Sequence, residues 1–218
     1  MAKRNTKRAA ELNEQGLEYY HNWQLEDAVS AFKDAAAADA ENPEYDLNLA
    51  RVLARSGRYD DAMTALGAYL SKETRTDIAS RFERMFSTAL DDVETVLIEK
   101  MKEMELPMQQ IGKAMQMWLE YRITIGRKTL RTPKPALWAA ALTNTIAKIN
   151  FVQIRRQEVA DIYGVSDRSL KEKCDDLVET LDLMPADYRY FTGENNPLDK
   201  LVEAAQLLEE LDRQFRAD

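Results

Sequence analysis

The chain has 218 residues, 45% of them hydrophobic and 31% charged, which is enough to bury one large core or two small ones and too apolar for wholesale disorder. A net charge of −8 argues against indiscriminate binding to nucleic acid, and a single cysteine excludes an internal disulfide. Seven glycines and six prolines are few beside the abundant Ala, Leu, Glu, Lys, Arg, Gln and Met, so the composition predicts an all-α fold.

The first twenty residues, "MAKRNTKRAAELNEQGLEYY", are basic at the start, but no apolar stretch follows as a secretory signal requires. The longest apolar stretch, "ALWAAAL", falls far short of the ~20 residues that span a bilayer. A soluble, cytoplasmic protein with no membrane contact is the expectation. Over residues 9–76 the sequence resembles itself at a period of 34: Gly16 aligns with Ala50, Tyr19 with Leu53, Trp23 with Gly57, Leu25 with Tyr59, Ala28 with Ala62, and Phe32 with Leu66. Small residues at the first and fifth of these pairs let antiparallel helices approach closely, while large ones fill the gaps between them.

These residues resemble two tetratricopeptide (TPR) repeats, over 9–42 and 43–76, so that residues 1–76 form helical hairpins. Ala40 departs from the pattern, where the family usually carries proline. The family's helix pairs curve around a concave groove lined by the first helix of each pair. The resemblance therefore implies a peptide groove at Asn13, Leu17, Tyr20, Asn48, Arg51 and Arg55. Some relatives clamp a C-terminal carboxylate with lysines and asparagines. Only Asn48 survives of that set, and Leu17 stands where an asparagine is needed, which argues against a chaperone-tail clamp. The alternative is a solvated helix face with no ligand.

Two repeats leave an open apolar end. In "DIASRFERMFSTALDDVETVLIEKMKEM" the residues Ile78, Phe82, Met85, Phe86, Ala89, Val93, Val96 and Leu97 recur at helical spacing. The periodicity predicts one long connecting helix over 77–106 that caps the repeats; a coiled coil is the alternative, with an imperfect heptad. Leu106-Pro107 ends it. Residues 107–218 form the remaining helical domain. A helix with Ile111, Met115, Trp118 and Leu119 inward leads to the basic loop "GRKTLRTPKP", and Pro135 opens the next helix, "PALWAAALTNTIAKINF". Its alanines predict a central helix packed on several sides. "RRQEVADIYGVSDRSLKEKCDDLVETL", residues 155–181, has helix-turn-helix spacing: Gly164 supplies the left-handed turn, Ser166 caps the second helix, and Leu170, Cys174, Leu177 and Leu181 face inward. An aromatic loop follows, then a final helix with Leu201, Ala204, Ala205, Leu208 and Leu211 inward.

Over residues 115–190 the order of these parts resembles the cyclin-like boxes of transcription factor IIB, and more closely a helical domain of uncharacterised prokaryotic proteins. The resemblance rests on Lys134, Pro135, Trp138, Ala139, Ala140, Ala141, Ile149, Asn150, Phe151, Gly164, Val165, Ser166, Leu170 and Lys173. It implies a cyclin-like/helix-turn-helix fold more firmly than an activity.

Residues 107–156 hold nine basic residues and one acidic residue, against seven and sixteen over 157–218. The outward face of the second helix carries Asp167, Glu172, Asp175 and Asp176 against Arg168 and Lys171, a poor match to a phosphate-lined groove. Phosphates or an acidic partner would meet Arg127, Lys128, Arg131, Lys134, Arg155 and Arg156 instead; the other reading of this block is pairing with the chain's own acidic helices. One histidine and one cysteine allow no metal-ligand spacing, no glycine-rich loop exists, and no cofactor or catalytic set emerges. The expected function is a non-enzymatic adaptor that binds a protein or peptide in the TPR groove. The alternative is a nucleic-acid-associated regulator that uses the 122–156 block and the helix-turn-helix.

Overall fold

A computed structural model describes residues 5–86, 90–128, 130, 132–194, 196, 197 and 199. Arg131 of the basic block, Ala89 of the connecting segment and the final helix with Leu201, Ala204, Ala205, Leu208 and Leu211 lie outside them. Among the described residues there are ten α-helices, one 3-10 turn and no strand, so the fold is all-α: α1 Thr6–His21, α2 Leu25–Ala38, α3 Pro43–Arg55, α4 Tyr59–Leu70, α5 Thr76–Glu83, α6 Asp92–Glu103, α7 Met108–Thr124, α8 Pro135–Ile149, α9 Arg156–Tyr163 and α10 Asp167–Leu181. None of these helices is long and apolar enough to cross a membrane.

By internal contacts the chain divides into two units, residues 1–90 with 118–131, and residues 91–117 with 132–218. The boundaries expected at 76 and 106 do not coincide with these. In the first unit α1 pairs with α2 and α3 with α4. Asn5 and Asn42 cap α1 and α3 by accepting from the N–H groups of Arg8 and Glu44. Gly16 admits the ring of Phe32, since a Cβ there would stand 2.6 Å from a ring carbon. Ala28, Ala50 and Ala62 are buried in the same core as Phe32, Leu53 and Leu66, the small and large partners of the 34-residue pattern.

The long helix expected over 77–106 is two helices. α5 stays with the repeats: it packs on α4, Ile78 and Phe82 join the repeat core, and Phe82 meets the Tyr69 ring edge-on at 5.4 Å. α6 starts afresh at Asp91, whose side chain accepts from the Glu94 N–H at 2.8 Å while Glu94 accepts from the Asp91 N–H at 2.9 Å. This reciprocal capping box satisfies the free N–H groups of a helix start, which an uninterrupted helix would not possess. Val93 and Leu97 are buried and belong to the second unit.

In the second unit α8 is the central element, with every residue from 138 to 147 buried, the burial of a helix packed all round. α6, α9 and α10 pack on it. Gly164 ends α9 in the left-handed conformation at φ 63°, Ser166 caps α10 by accepting from the Ser169 N–H, and Leu170, Cys174, Leu177 and Leu181 are buried. Cys174 accepts from the Asn144 amide at 3.2 Å, and burial pushes its thiol pKa up, as in an inert core cysteine.

Candidate functional site

On α1, Asn13, Leu17 and Tyr20 stand at i, i+4 and i+7; on α3, Asn48, Arg51 and Arg55 stand at i, i+3 and i+7. Each set occupies one face of its helix, and the structure brings the two faces together. Asn48 donates from Nδ2 to Asn13 Oδ1 at 2.8 Å and accepts at Oδ1 from Arg51 Nη1 at 2.7 Å. Asn48 thus fixes the Arg51 fork. One turn on, the Arg55 guanidinium lies 4.1 Å from the Tyr20 ring centroid and 4.9 Å from that of Trp23.

Leu17, Tyr20, Asn48 and Arg51 line a cleft of roughly 310 Å³ together with His21, Phe32, Thr124 and Lys128. His21 extends the α1 face by one turn beyond Leu17, a signal that spacing alone carries. Thr124 and Lys128 had no such signal. They come from residues 118–128, which pack against the repeats: Ile123 is buried in the core that holds Leu47, Ala50 and Leu53. Gly126 sits so close to α3 that a Cβ would collide with Arg51 Nη2 and stand 3.3 Å from Leu47 Cδ2. Residues 118–128 therefore supply part of the cleft's lining.

Two arginine contacts hold that segment. Arg81 of α5 donates to the carbonyl oxygens of Gly126 and Lys128, beyond the C-terminal end of α7, where carbonyls lack helical partners. Arg127 donates from Nε to Glu73 at 3.0 Å and to the Tyr69 hydroxyl at 3.4 Å, and Tyr69 in turn donates to Glu73. Burial, then the Glu73 contact, pushes the Tyr69 hydroxyl up to about 12, so it stays a donor throughout the physiological range. Burial alone would raise the Glu73 carboxyl. The Tyr69 hydroxyl, the Arg75 N–H and Arg127 outweigh it and hold the carboxyl below its ordinary 4.5. A carboxyl lowered on folding contributes stability that is complete above 4.5 and is lost as pH falls through the lowered value. Thermal unfolding followed from pH 7 to pH 3 should therefore fall less steeply in Glu73→Gln than in the parent; identical acid slopes would show that Glu73 ties nothing down.

The basic residues are largely engaged within their own units. Arg122 stacks over Trp118 at 5.5 Å, Arg127 pairs with Glu73, Arg155 donates to Glu158 at 2.7 Å, and Arg156 forks onto Asp167 at 2.6 and 2.7 Å. Lys128, Lys134 and Lys148 are exposed. The block is shared between the units, with 122, 127 and 128 in the first and 134, 148, 155 and 156 in the second. On α10, Arg168 pairs with Glu172 at 3.1 Å and Lys171 with Asp175 at 2.6 Å, so its outward cations already face carboxylates.

No curated protein and no solved structure matches the chain. The tetratricopeptide repeat family model matches residues 19–80, from the last turn of α1 into α5. Such repeats mediate contacts between proteins, and residues 19–80 carry the face of α3 that lines the cleft.

Proposed function

We propose that the chain is a non-catalytic, cytoplasmic adaptor that holds a peptide segment of a partner protein against the face formed by Asn13, Leu17, Tyr20, Asn48, Arg51 and Arg55. The observation that carries this reading is the convergence of those six side chains, from two helices, beside an open cleft with an ordered polar network and aromatic walls. Residues 118–128 narrow the groove, so the occupant is a short segment rather than a whole helix. The α9–α10 pair, read as a cyclin-like helix-turn-helix, serves packing: its apolar face is buried and its outward cations are neutralised, which leaves little to drive binding to phosphates.

A photo-crosslinking residue at Leu17, compared with one at the exposed Thr64 on α4, tests the surface. Protein adducts from native lysate should form from position 17 and survive nuclease treatment. Equal yield from position 64, or loss of the adducts with nuclease, would overturn the reading.

A further inference from the structure

We infer that the cleft takes two carboxylates of an extended acidic peptide, one on Arg51 and one on Arg55, so that the recognised segment has the form acidic–any–acidic. This rests on the groove reading above and specifies its ligand.

Among the described residues, two arginines of the repeat unit stand without anions. A guanidinium keeps its charge at any physiological pH. Four other partly covered arginines have carboxylate or carbonyl acceptors: Arg127 has Glu73, Arg156 has Asp167, Arg189 has Asp187 at 2.8 Å, and Arg81 has two carbonyls. Arg51 donates only to a neutral amide oxygen, that of Asn48, and Arg55 lies over two aromatic rings. Among the described residues neither pairs with a carboxylate, and the Nε of each is buried with no acceptor. Arg55 is only 5% exposed and is balanced by the faces of Tyr20 and Trp23 alone. A charge withdrawn from water without a counter-ion is costly, and an arriving carboxylate relieves that cost.

Burial draws the Arg51 guanidinium below its ordinary value, against the opposing influence of Tyr20 and Glu44, the latter two turns away on α3. Lys128 joins Arg51 on the cleft lining, Arg55 lies over the Tyr20 ring that also lines it, and among the described residues Thr124 Oγ1 is a buried hydroxyl with no partner. Spacing selects the form of the ligand. Side chains at i and i+4 of a helix stand about 5–6 Å apart at Cβ. Alternate side chains of an extended peptide stand about 6.6 Å apart on one face. Two acidic side chains one residue apart therefore match two forks one turn apart, whereas a single terminal carboxylate reaches only one.

The isotope-labelled full chain is titrated with N-acetyl-Glu-Ala-Glu-amide, with its isostere N-acetyl-Gln-Ala-Gln-amide, and with inorganic phosphate, reading the Nε–H resonances of Arg51 and Arg55 and the amide of Thr124. The acidic peptide should shift all three, with an affinity that weakens as salt is raised. It should lose about tenfold or more in Arg51→Gln, the worth of a charged hydrogen bond. The isostere and phosphate should leave these resonances in place. Equal shifts from the isostere would overturn the carboxylate assignment while leaving the groove as a peptide site. Equal shifts from phosphate would make it a small-anion site and overturn the assignment too. If no probe moves these resonances, the assignment fails, and the crosslinking at Leu17 decides the groove reading separately.

Discussion

Val93→Asp should strip hydrogen-exchange protection from α6, α8 and α10 while α2, α3 and α4 keep theirs. Val93 is 2% exposed on α6, which packs on α8, whose residues 138 to 147 are all buried. Burying an unpaired charge costs roughly 3–5 kcal/mol, a large part of the stability of a unit this size. The loss falls on residues 91–117 and 132–190 because Val93 belongs to that core and not to the repeats. Exchange followed by mass spectrometry reads both units in one experiment. Equal loss of protection in α2–α4 would show one cooperative core, and unchanged protection everywhere would show that Val93 faces water.

Phe32→Ala should have the complementary effect, a loss of about 3–5 kcal/mol confined to the repeats. The ring is 1% exposed and fills the hollow over Gly16. The glycine supplies the sharper test. In the parent, Gly16→Ala drives a methyl against the ring and should cost about 1–3 kcal/mol by overpacking. In the Phe32→Ala background the clash is gone, and alanine's better helix propensity, worth up to about 1 kcal/mol, should make the same change stabilising. A double-mutant cycle by chemical denaturation reports this change of sign. Additive costs would mean that α1 and α2 do not cross at Gly16.

The parts of the fold that depend on near neighbours in sequence were legible. Small–large alternation at a period of 34 marked the α1/α2 and α3/α4 hairpins, and Gly164 with Ser166 marked the α9–α10 turn, because each signal lies within one or two helices. The break between α5 and α6 was hidden by an accident of phase. Phe82 and Val93 are eleven residues apart, close to three helical turns, so two separate apolar faces continue one apparent stripe. The capping signal Asp91-x-x-Glu94 was present in the sequence and outranks the stripe, since it answers an unsatisfied backbone rather than a pattern. The α1 and α3 positions beside the cleft were named through the resemblance to the repeat family, which places a groove on the first helix of each pair. Thr124 and Lys128 were not, because only a long-range contact places residues 118–128 against α3.

The repeat unit is interrupted in sequence, and that imposes an order on its birth. The ribosome delivers α1 to α5 first, and residues 118–131 of the same unit come more than thirty residues later, after all of α6 and half of α7. At about 5–20 residues per second the wait is roughly 2–8 s, far longer than helix formation requires. For that interval the nascent repeats lack Ile123, which in the finished protein is buried in one core with Leu47 and Leu53.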